Sequence, residues 1–222
     1  MDQPRPTATA ANPANAANPA NTAPLAASPD SPRLSPRTPQ LILGPFYPLN
    51  PALPADGLNA AIGPAAAGAQ HQATGARHQS LHISGQITNR AGQAVADAWV
   101  ELWQADELGR YRHPSAPLPE PQDASFTGYL AQRSDGQGRY AFRTRRPGAY
   151  VEGDRRRAPH LHFQVTGAND RLVTQMFFPG DELNAQDHWL AAVARQHQLV
   201  ATLVHETPAL LQLRWDIVLS TG

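Results

Sequence analysis

Short runs of alternating apolar and polar residues, separated by turn residues, fill the chain from residue 81 to its end. Successive side chains of a strand point to opposite faces, so each run predicts a strand with one buried face. The predicted strands are residues 81–88, 99–103, 140–142, 160–165, 172–178 and 213–219. Turn residues such as those at 89–92 and 135–138 separate them, which favours antiparallel pairing. The pattern therefore predicts an all-β fold, an antiparallel β-sandwich with long loops.

One segment has a helical period instead. Within residues 187–206, apolar side chains occur at Leu190, Val193, Val200 and Leu203, with His and Gln between them. That spacing predicts one short surface helix, and the whole fold is expected to contain at most one or two short helices.

The ends of the domain follow from composition. Residues 1–40 consist largely of Ala, Pro, Asn, Thr and Ser and contain no aromatic residue, so we expect a disordered tail. The folded domain is expected to span residues 41–222. Within this domain, residues 51–79 show neither the alternation of a strand nor the spacing of a helix. They predict a long loop that is mobile or shapes a binding rim.

Composition narrows the classes of function. The 18 basic residues, all of them arginine, balance 18 acidic ones, so nothing favours nucleic acid or an anionic membrane as a partner. With no cysteine, disulfides, thiolate zinc sites and cysteine nucleophiles are excluded. The chain has neither an apolar run long enough to cross a bilayer nor a secretory signal at its start, so the expected location is the cytoplasm.

The most informative motif is the pair of histidines in Pro-His-Leu-His-Phe, residues 159–163. On a strand, His160 and His162 point to the same face, as two ligands of one metal ion must. No Asp or Glu lies in a fitting cluster nearby, so the remaining oxygen donors are the five tyrosines. Tyr111 follows a strand and Tyr150 ends a turn ten residues before His160. Taken alone, either tyrosine also fits a packed aromatic residue. The two histidines also fit a partly exposed pair on a strand.

Several motifs occur in a characteristic order. They are residues 101–105 (ELWQA), 109–111 (GRY), 135–140 (DGQGRY), 147–150 (PGAY), 157–163 (RAPHLHF) and 174–178 (TQMFF). Together they resemble the intradiol ring-cleavage dioxygenases, in particular the protocatechuate branch of that family, from about residue 81 to residue 222. The combination is far more specific than any of its parts.

The resemblance implies a set of site residues. The ligands of one non-haem Fe(III) per active site would be Tyr111, Tyr150, His160 and His162. Arg157 would lie beside the substrate ring and Gln175 near it, while Tyr150 would also act in catalysis as a ligand that the substrate displaces. Gly44, Pro45 and Tyr47 would line the substrate pocket. The ligand set is chemically coherent, since Fe(III) is a hard cation that prefers anionic oxygen donors and also binds imidazole well.

The implied reaction is cleavage of a catechol ring between its two hydroxyl groups, with O2, to a cis,cis-muconate. The expected substrate is protocatechuate, giving 3-carboxy-cis,cis-muconate, with catechol and other substituted catechols left open as alternatives. The expected assembly is a homo-oligomer. One departure from the family concerns the pocket wall. After Tyr150 the chain reads Val151-Glu152, where the protocatechuate branch has Pro-Trp.

Two alternatives use the same residues differently. The strands and turns also fit a non-catalytic, prealbumin-like β-sandwich that binds a partner and needs no metal. A zinc hydrolase could use His160 and His162, but it would need a third ligand from His, Glu, Asp or Cys.

Overall fold

The computed structural model describes residue 1 and residues 34–49, 79–119, 123 and 126–221. The described part lies almost entirely within one compact unit, residues 33–222. Of the predicted tail, residues 2–33 lie outside the described residues, as does nearly all of the predicted loop at 51–79. Among the described residues, no helix is long and apolar enough to cross a membrane.

Eleven strands and one α-helical turn make up the described fold. The strands are β1 (Ser80–Asn89), β2 (Trp99–Trp103), β3 (Tyr129–Arg133), β4 (Arg139–Arg145), β5 (Tyr150–Glu152), β6 (Arg155–Arg157), β7 (His160–Thr166), β8 (Arg171–Phe177), β9 (Thr202–Glu206), β10 (Leu210–Arg214) and β11 (Ile217–Leu219). The helix α1 is His188–Ala191, and residues 182–186 and 196–199 form 3₁₀ turns.

Two sheets form the predicted sandwich, so the all-β fold class is confirmed. The first has the order β3-β2-β7-β8 and is antiparallel throughout. In the second, β1 pairs with β4 in antiparallel fashion, whereas its pairing with β10 and β11 is parallel. The two sheets face each other through an apolar core in which Phe163 of β7 contacts Tyr140 and Phe142 of β4.

The prediction of one short helix is confirmed by α1, although the apolar spacing that predicted it was read across all of residues 187–206. Only α1, four residues long, and a 3₁₀ turn form within this segment, and the last five residues are β9. Asp187 begins α1 by accepting hydrogen bonds from the backbone N–H groups of Trp189 and Leu190. Val200 leads into the edge strand β9, whose residues are all exposed. Val200 and Leu203 therefore do not lie on one face of a helix with Leu190 and Val193.

Residues 34–47 lie along the domain as a covering segment. The backbone N–H of Thr38 donates to Val218 and that of Leu41 donates to Val173, at 3.0 Å each. Arg37 forms an ion pair with Asp170 at 3.0 Å. Residues 34–40 are therefore part of the domain, which begins before the predicted boundary at residue 41.

The β3-β2-β7-β8 sheet has a second apolar cluster on the face turned away from the sandwich core. Its buried members are Phe46, Trp103, Ala105, Tyr111, Tyr129, Ala131 and Tyr150. Strand alternation explains the division, because Leu161 and Phe163 of β7 belong to the sandwich core while His160 and His162 point the other way. The candidate site lies on this outer face, beneath the covering segment.

Candidate metal centre and substrate site

Strand β7 supplies the two histidines of the site. His162 lies opposite Trp103 of β2 and Gln175 of β8, so the three side chains form a row across the sheet. The rings of Trp103 and His162 are stacked, with centroids 4.9 Å apart. His160 and His162 are each only 1% exposed, and their Nε2 atoms are 3.2 Å apart.

Two loops bring the tyrosines to these histidines. Gly109 has φ +77°, and a Cβ at this residue would lie 2.3 Å from the carbonyl oxygen of Ala149. Only glycine allows both this backbone conformation and this close approach. The contact between the loops sets Tyr111 against Tyr150, whose ring centroids are 5.4 Å apart.

The four predicted ligands converge in the structure. The Tyr111 hydroxyl lies 3.1 Å from Nε2 of His162, and the Tyr111 ring meets the Tyr150 ring edge-on. The Tyr150 ring lies 5.6 Å from that of His160, centroid to centroid. Two phenols and two imidazoles thus share one buried point on the outer face of the sheet.

The other three tyrosines have different partners. The hydroxyls of Tyr47 and Tyr129 donate to the buried carboxylate of Glu101, at 2.7 and 2.9 Å. The Tyr140 hydroxyl donates to the carbonyl oxygen of Trp215 at 2.6 Å. Of the five tyrosines, only Tyr111 and Tyr150 face the histidines.

Burial controls the protonation of the four groups. It lowers the pKa of both His160 and His162, and the charge of nearby Arg157 lowers both further, so the imidazoles are neutral. Burial likewise raises the pKa of Tyr111, and it raises that of Tyr150 to about 12 although Arg157 opposes the shift. The phenols therefore keep their protons unless a cation binds them.

The donor set fits a ferric ion. Nδ1 of His160 lies 2.6 Å from the carbonyl oxygen of Ala158 and donates to it, which leaves the Nε2 lone pair free towards the other three groups. Nδ1 of His162 is buried with no hydrogen-bond partner among the described residues, so stacking on Trp103 and contact with Gly44 hold this ring. Two neutral imidazoles and two ionisable phenols suit a hard trivalent cation.

The donor set does not fit the zinc alternative. Among the described residues, no group of three or more His, Cys, Asp and Glu side chains is placed to hold a metal. A catalytic zinc site normally has three such ligands.

Arg157 joins the site to its surroundings. Its Nη1 lies 3.3 Å from the Tyr150 hydroxyl, and its Nη2 donates to Oε1 of Gln175 at 2.8 Å. Its Nε donates to Asp187 at 2.9 Å. The guanidinium is 1% exposed, so its three nitrogens hold Tyr150, Gln175 and Asp187 in fixed relation.

Of the three predicted pocket residues, Gly44 and Tyr47 contact side chains of the site and Pro45 is exposed to solvent. A Cβ on Gly44 would lie 2.9 Å from Cε1 of His162, so this glycine packs directly on a proposed ligand. Tyr47 contacts Trp103 edge-on, with centroids 5.1 Å apart. Pro45 is exposed, whereas Phe46, in the same predicted run, packs on Tyr111 with ring centroids 4.6 Å apart.

Asp187 is the residue that the sequence analysis missed most clearly. Its side chain is fully buried, and it accepts hydrogen bonds from Arg157 and from three backbone N–H groups, those of Ala158, Trp189 and Leu190. The one local signal was an Asp directly before a short apolar segment, which is the preferred residue type at a helix start.

Comparison with known proteins identifies the family of this chain. A family model described as Dioxygenase matches residues 60–221, well over half of the chain. The chain therefore belongs to the intradiol ring-cleavage dioxygenase family.

Particular relatives differ in the substrate that their names state. The protocatechuate 3,4-dioxygenase beta chain of Burkholderia cepacia is 41% identical over 114 residues, which are 49% of this chain and 48% of the relative. The hydroxyquinol 1,2-dioxygenase of Rhodococcus opacus is 34% identical over 124 residues, 49% of this chain and 39% of the relative. The chain thus matches about half or less of the length of these curated relatives.

A solved structure supports the fold. The catechol 1,2-dioxygenase of Acinetobacter radioresistens superposes with a TM-score of 0.64 at 21% identity, over 85% of this chain and 64% of the other. At that identity the likeness concerns the fold alone.

Proposed function

We propose that this protein is a non-haem Fe(III) dioxygenase that cleaves a catechol between its two hydroxyl groups, with O2, to a cis,cis-muconate. The observation that carries the proposal is the convergence of two phenols and two neutral imidazoles on one buried point. Tyr111, Tyr150, His160 and His162 would hold the iron. The chemistry that ferric iron supplies when bound is activation of the catechol ring towards O2.

Tyr150 is the residue best placed to take a proton from the substrate. Its hydroxyl oxygen would be a phenolate beside the cation, and a phenolate that accepts a proton becomes a weaker ligand that the substrate can replace. Nη1 of Arg157, 3.3 Å away, would then hold the released hydroxyl. Arg157 keeps its charge at any working pH and would also stabilise negative charge on the ring.

The remaining proposed residues orient the substrate and exclude water. Gln175 is fully buried between Arg157 and the carbonyl oxygen of Ile42, which ties the covering segment to the site. Gly44, Pro45 and Tyr47 would form the wall that this segment presents to the substrate.

The second part of the proposal concerns which catechol is the substrate, that is, which substituent its ring carries. The predicted conversion of protocatechuate to 3-carboxy-cis,cis-muconate has support from the relative that is 41% identical. Hydroxyquinol and catechol have support from the other relatives. The prealbumin-like alternative is not favoured, since a binding module has no use for four converging metal ligands.

The test is oxygen consumption by iron-replete protein against a panel of catechols, with product spectra. Absorbance of a cis,cis-muconate and a reddish protein, from tyrosinate-to-iron charge transfer, are expected. A colourless, iron-free protein that consumes oxygen, or products of cleavage beside the hydroxyls, would contradict the proposal.

The assembly is proposed to be a homo-oligomer. The covering segment and all four proposed ligands belong to one chain, so the site needs no residue from an unlike subunit. Size-exclusion chromatography with mass detection of the protein expressed alone should give one active oligomer. Activity that appears only when a different subunit is added would contradict this.

A further inference from the structure

Glu152, at the end of β5, has a position that the proposed catalytic steps do not explain. Its Oε2 lies 3.4 Å from Nη1 of Arg157, the same nitrogen that contacts the Tyr150 hydroxyl at 3.3 Å. The indole N–H of Trp189 donates to that oxygen at 3.1 Å and so fixes the carboxylate. The Glu152 side chain is 28% exposed, so it lies at the boundary between the site and the solvent.

Arg157 carries one positive charge, and it contacts two carboxylates, those of Asp187 and Glu152. Asp187 is fully buried and already pairs with the guanidinium at 2.9 Å. Nε2 of His188 lies 4.0 Å from the same Glu152 oxygen and adds a positive charge only when it is protonated. Glu152 therefore shares Arg157 with Asp187, and its own negative charge lies beside the nitrogen that contacts the Tyr150 hydroxyl.

We propose that Glu152 determines specificity, by disfavouring catechols with an anionic ring substituent and favouring neutral or cationic ones. The inference rests on the proposed function. A catechol bound at the proposed ligands lies close to the Tyr150 hydroxyl, which is within about 7 Å of the Glu152 carboxylate through the shared nitrogen. At an effective dielectric constant near 20, a second negative charge changes Kd by a factor of roughly 50 at about 7 Å and on the order of ten at about 12 Å, and a ring substituent lies farther away than the hydroxyl-binding atoms.

For protocatechuate, the charge of Glu152 and the family resemblance lead to opposite expectations. Protocatechuate carries a carboxylate on its ring, whereas catechol and hydroxyquinol carry none. The resemblance predicts protocatechuate, but the Val151-Glu152 sequence replaces the Pro-Trp of that branch with a charge. Glu152 therefore shifts the preference towards the neutral catechols.

The decisive experiment is an anaerobic titration that measures binding instead of turnover. The iron-loaded wild type and Glu152→Gln are titrated with protocatechuate and with catechol, and Kd is read from the change in the visible band. Gln keeps the size of the side chain and an oxygen that can accept from Trp189. The matched control is Asp154→Asn, the same change of charge in the same hairpin but at a side chain that is 94% exposed.

In Glu152→Gln, Kd for protocatechuate should fall on the order of tenfold while Kd for catechol changes less than about twofold. Asp154→Asn should change neither Kd by more than about twofold, because an exposed charge is screened. In the wild type, added salt should strengthen binding of protocatechuate relative to catechol.

An unchanged ratio of the two Kd values in Glu152→Gln would overturn the inference and leave the proposed function standing. Failure of every catechol to perturb the spectrum of the iron-loaded wild type would overturn the proposed function, and the inference with it. Thermal unfolding of each variant shows that the fold is retained.

Discussion

Replacing Asp187 by alanine tests whether a buried ion pair holds the site together. The substitution removes the acceptor for Nε of Arg157 and for three backbone N–H groups. Arg157 is 1% exposed, so its charge cannot be hydrated where it stands. Removing one partner of a buried pair costs about 3–5 kcal/mol. Glu152, which is 28% exposed and lies 3.4 Å from Nη1, compensates the charge of Arg157 only in part.

The free energy of unfolding should therefore fall by about 4 kcal/mol in Asp187→Ala. For a domain of this size that corresponds to a drop in Tm of roughly 10 °C. Urea unfolding followed by circular dichroism measures the loss directly.

The matched control is Asp135→Ala. Asp135 also accepts two backbone N–H groups and an arginine side chain, at 2.7–2.9 Å. Its partner Arg139 is 59% exposed, however, and water replaces the lost contacts. The Asp135 side chain is 11% exposed, but a pair whose arginine is open to solvent is worth only about 1 kcal/mol.

Equal losses in the two variants would refute the reasoning, because they would show that the number of hydrogen bonds decides and burial does not. A second readout concerns the site. Arg157 released from Asp187 should no longer hold Gln175 and Tyr150 in place, so the tyrosinate-to-iron band of any iron-loaded Asp187→Asn should shift. An unshifted band would assign Asp187 to stability alone.

Four further substitutions address the site and its cover. His162→Ala should abolish iron binding and colour while the β-type circular dichroism remains, since His162 lies outside the sandwich core; retained iron by elemental analysis would contradict its role as a ligand. Tyr150→Phe should keep iron but slow oxygen uptake, and an unchanged rate would contradict a displaceable ligand. Gly44→Ala should reduce stability and iron retention more than Gly92→Ala, because both glycines have positive φ but only the first would clash, at 2.9 Å from His162. Asp170→Asn should lower Tm by a few degrees at pH 7. Burial raises the pKa of Asp170, but hydrogen bonds from Arg37 and a backbone N–H outweigh it and leave the pKa below its usual value. Its stabilisation is thus present above about pH 4 and is lost as the pH falls through the folded pKa, where wild type and variant should converge.

The sequence predicted the parts of the fold that depend on local alternation. β1, β2 and β7 were predicted almost to the residue, because one face of each strand is buried in the sandwich core. Within residues 187–206 the predicted short helix does form, but the spacing that predicted it extends past the end of that helix. The apolar residues of this segment belong to a short helix, a 3₁₀ turn and an exposed edge strand, and a period read across three elements has no physical meaning.

The site was predictable to different degrees. His160 and His162 follow from alternation alone, since residues two apart on a strand share a face. Tyr111 and Tyr150 came only from the family resemblance, because their approach depends on the contact between Gly109 and Ala149, far apart in sequence. Asp187 lies 27 residues beyond His160, and no local pattern indicates that it pairs with Arg157.

The two faces of strand β7 therefore have different roles: one contributes to the stability of the domain and the other to the proposed site. On β7, Leu161 and Phe163 face the sandwich core, where burial of each apolar side chain stabilises the fold by about 1.5–3 kcal/mol. His160 and His162 alternate with them and face the second apolar cluster, on the outer face of the sheet, which is separate from the sandwich core. Because the covering segment closes that outer face, the histidines are as dry as the core residues beside them. Dryness keeps the imidazoles neutral and the phenols protonated, and it strengthens each charge interaction inside the site, including that of Glu152.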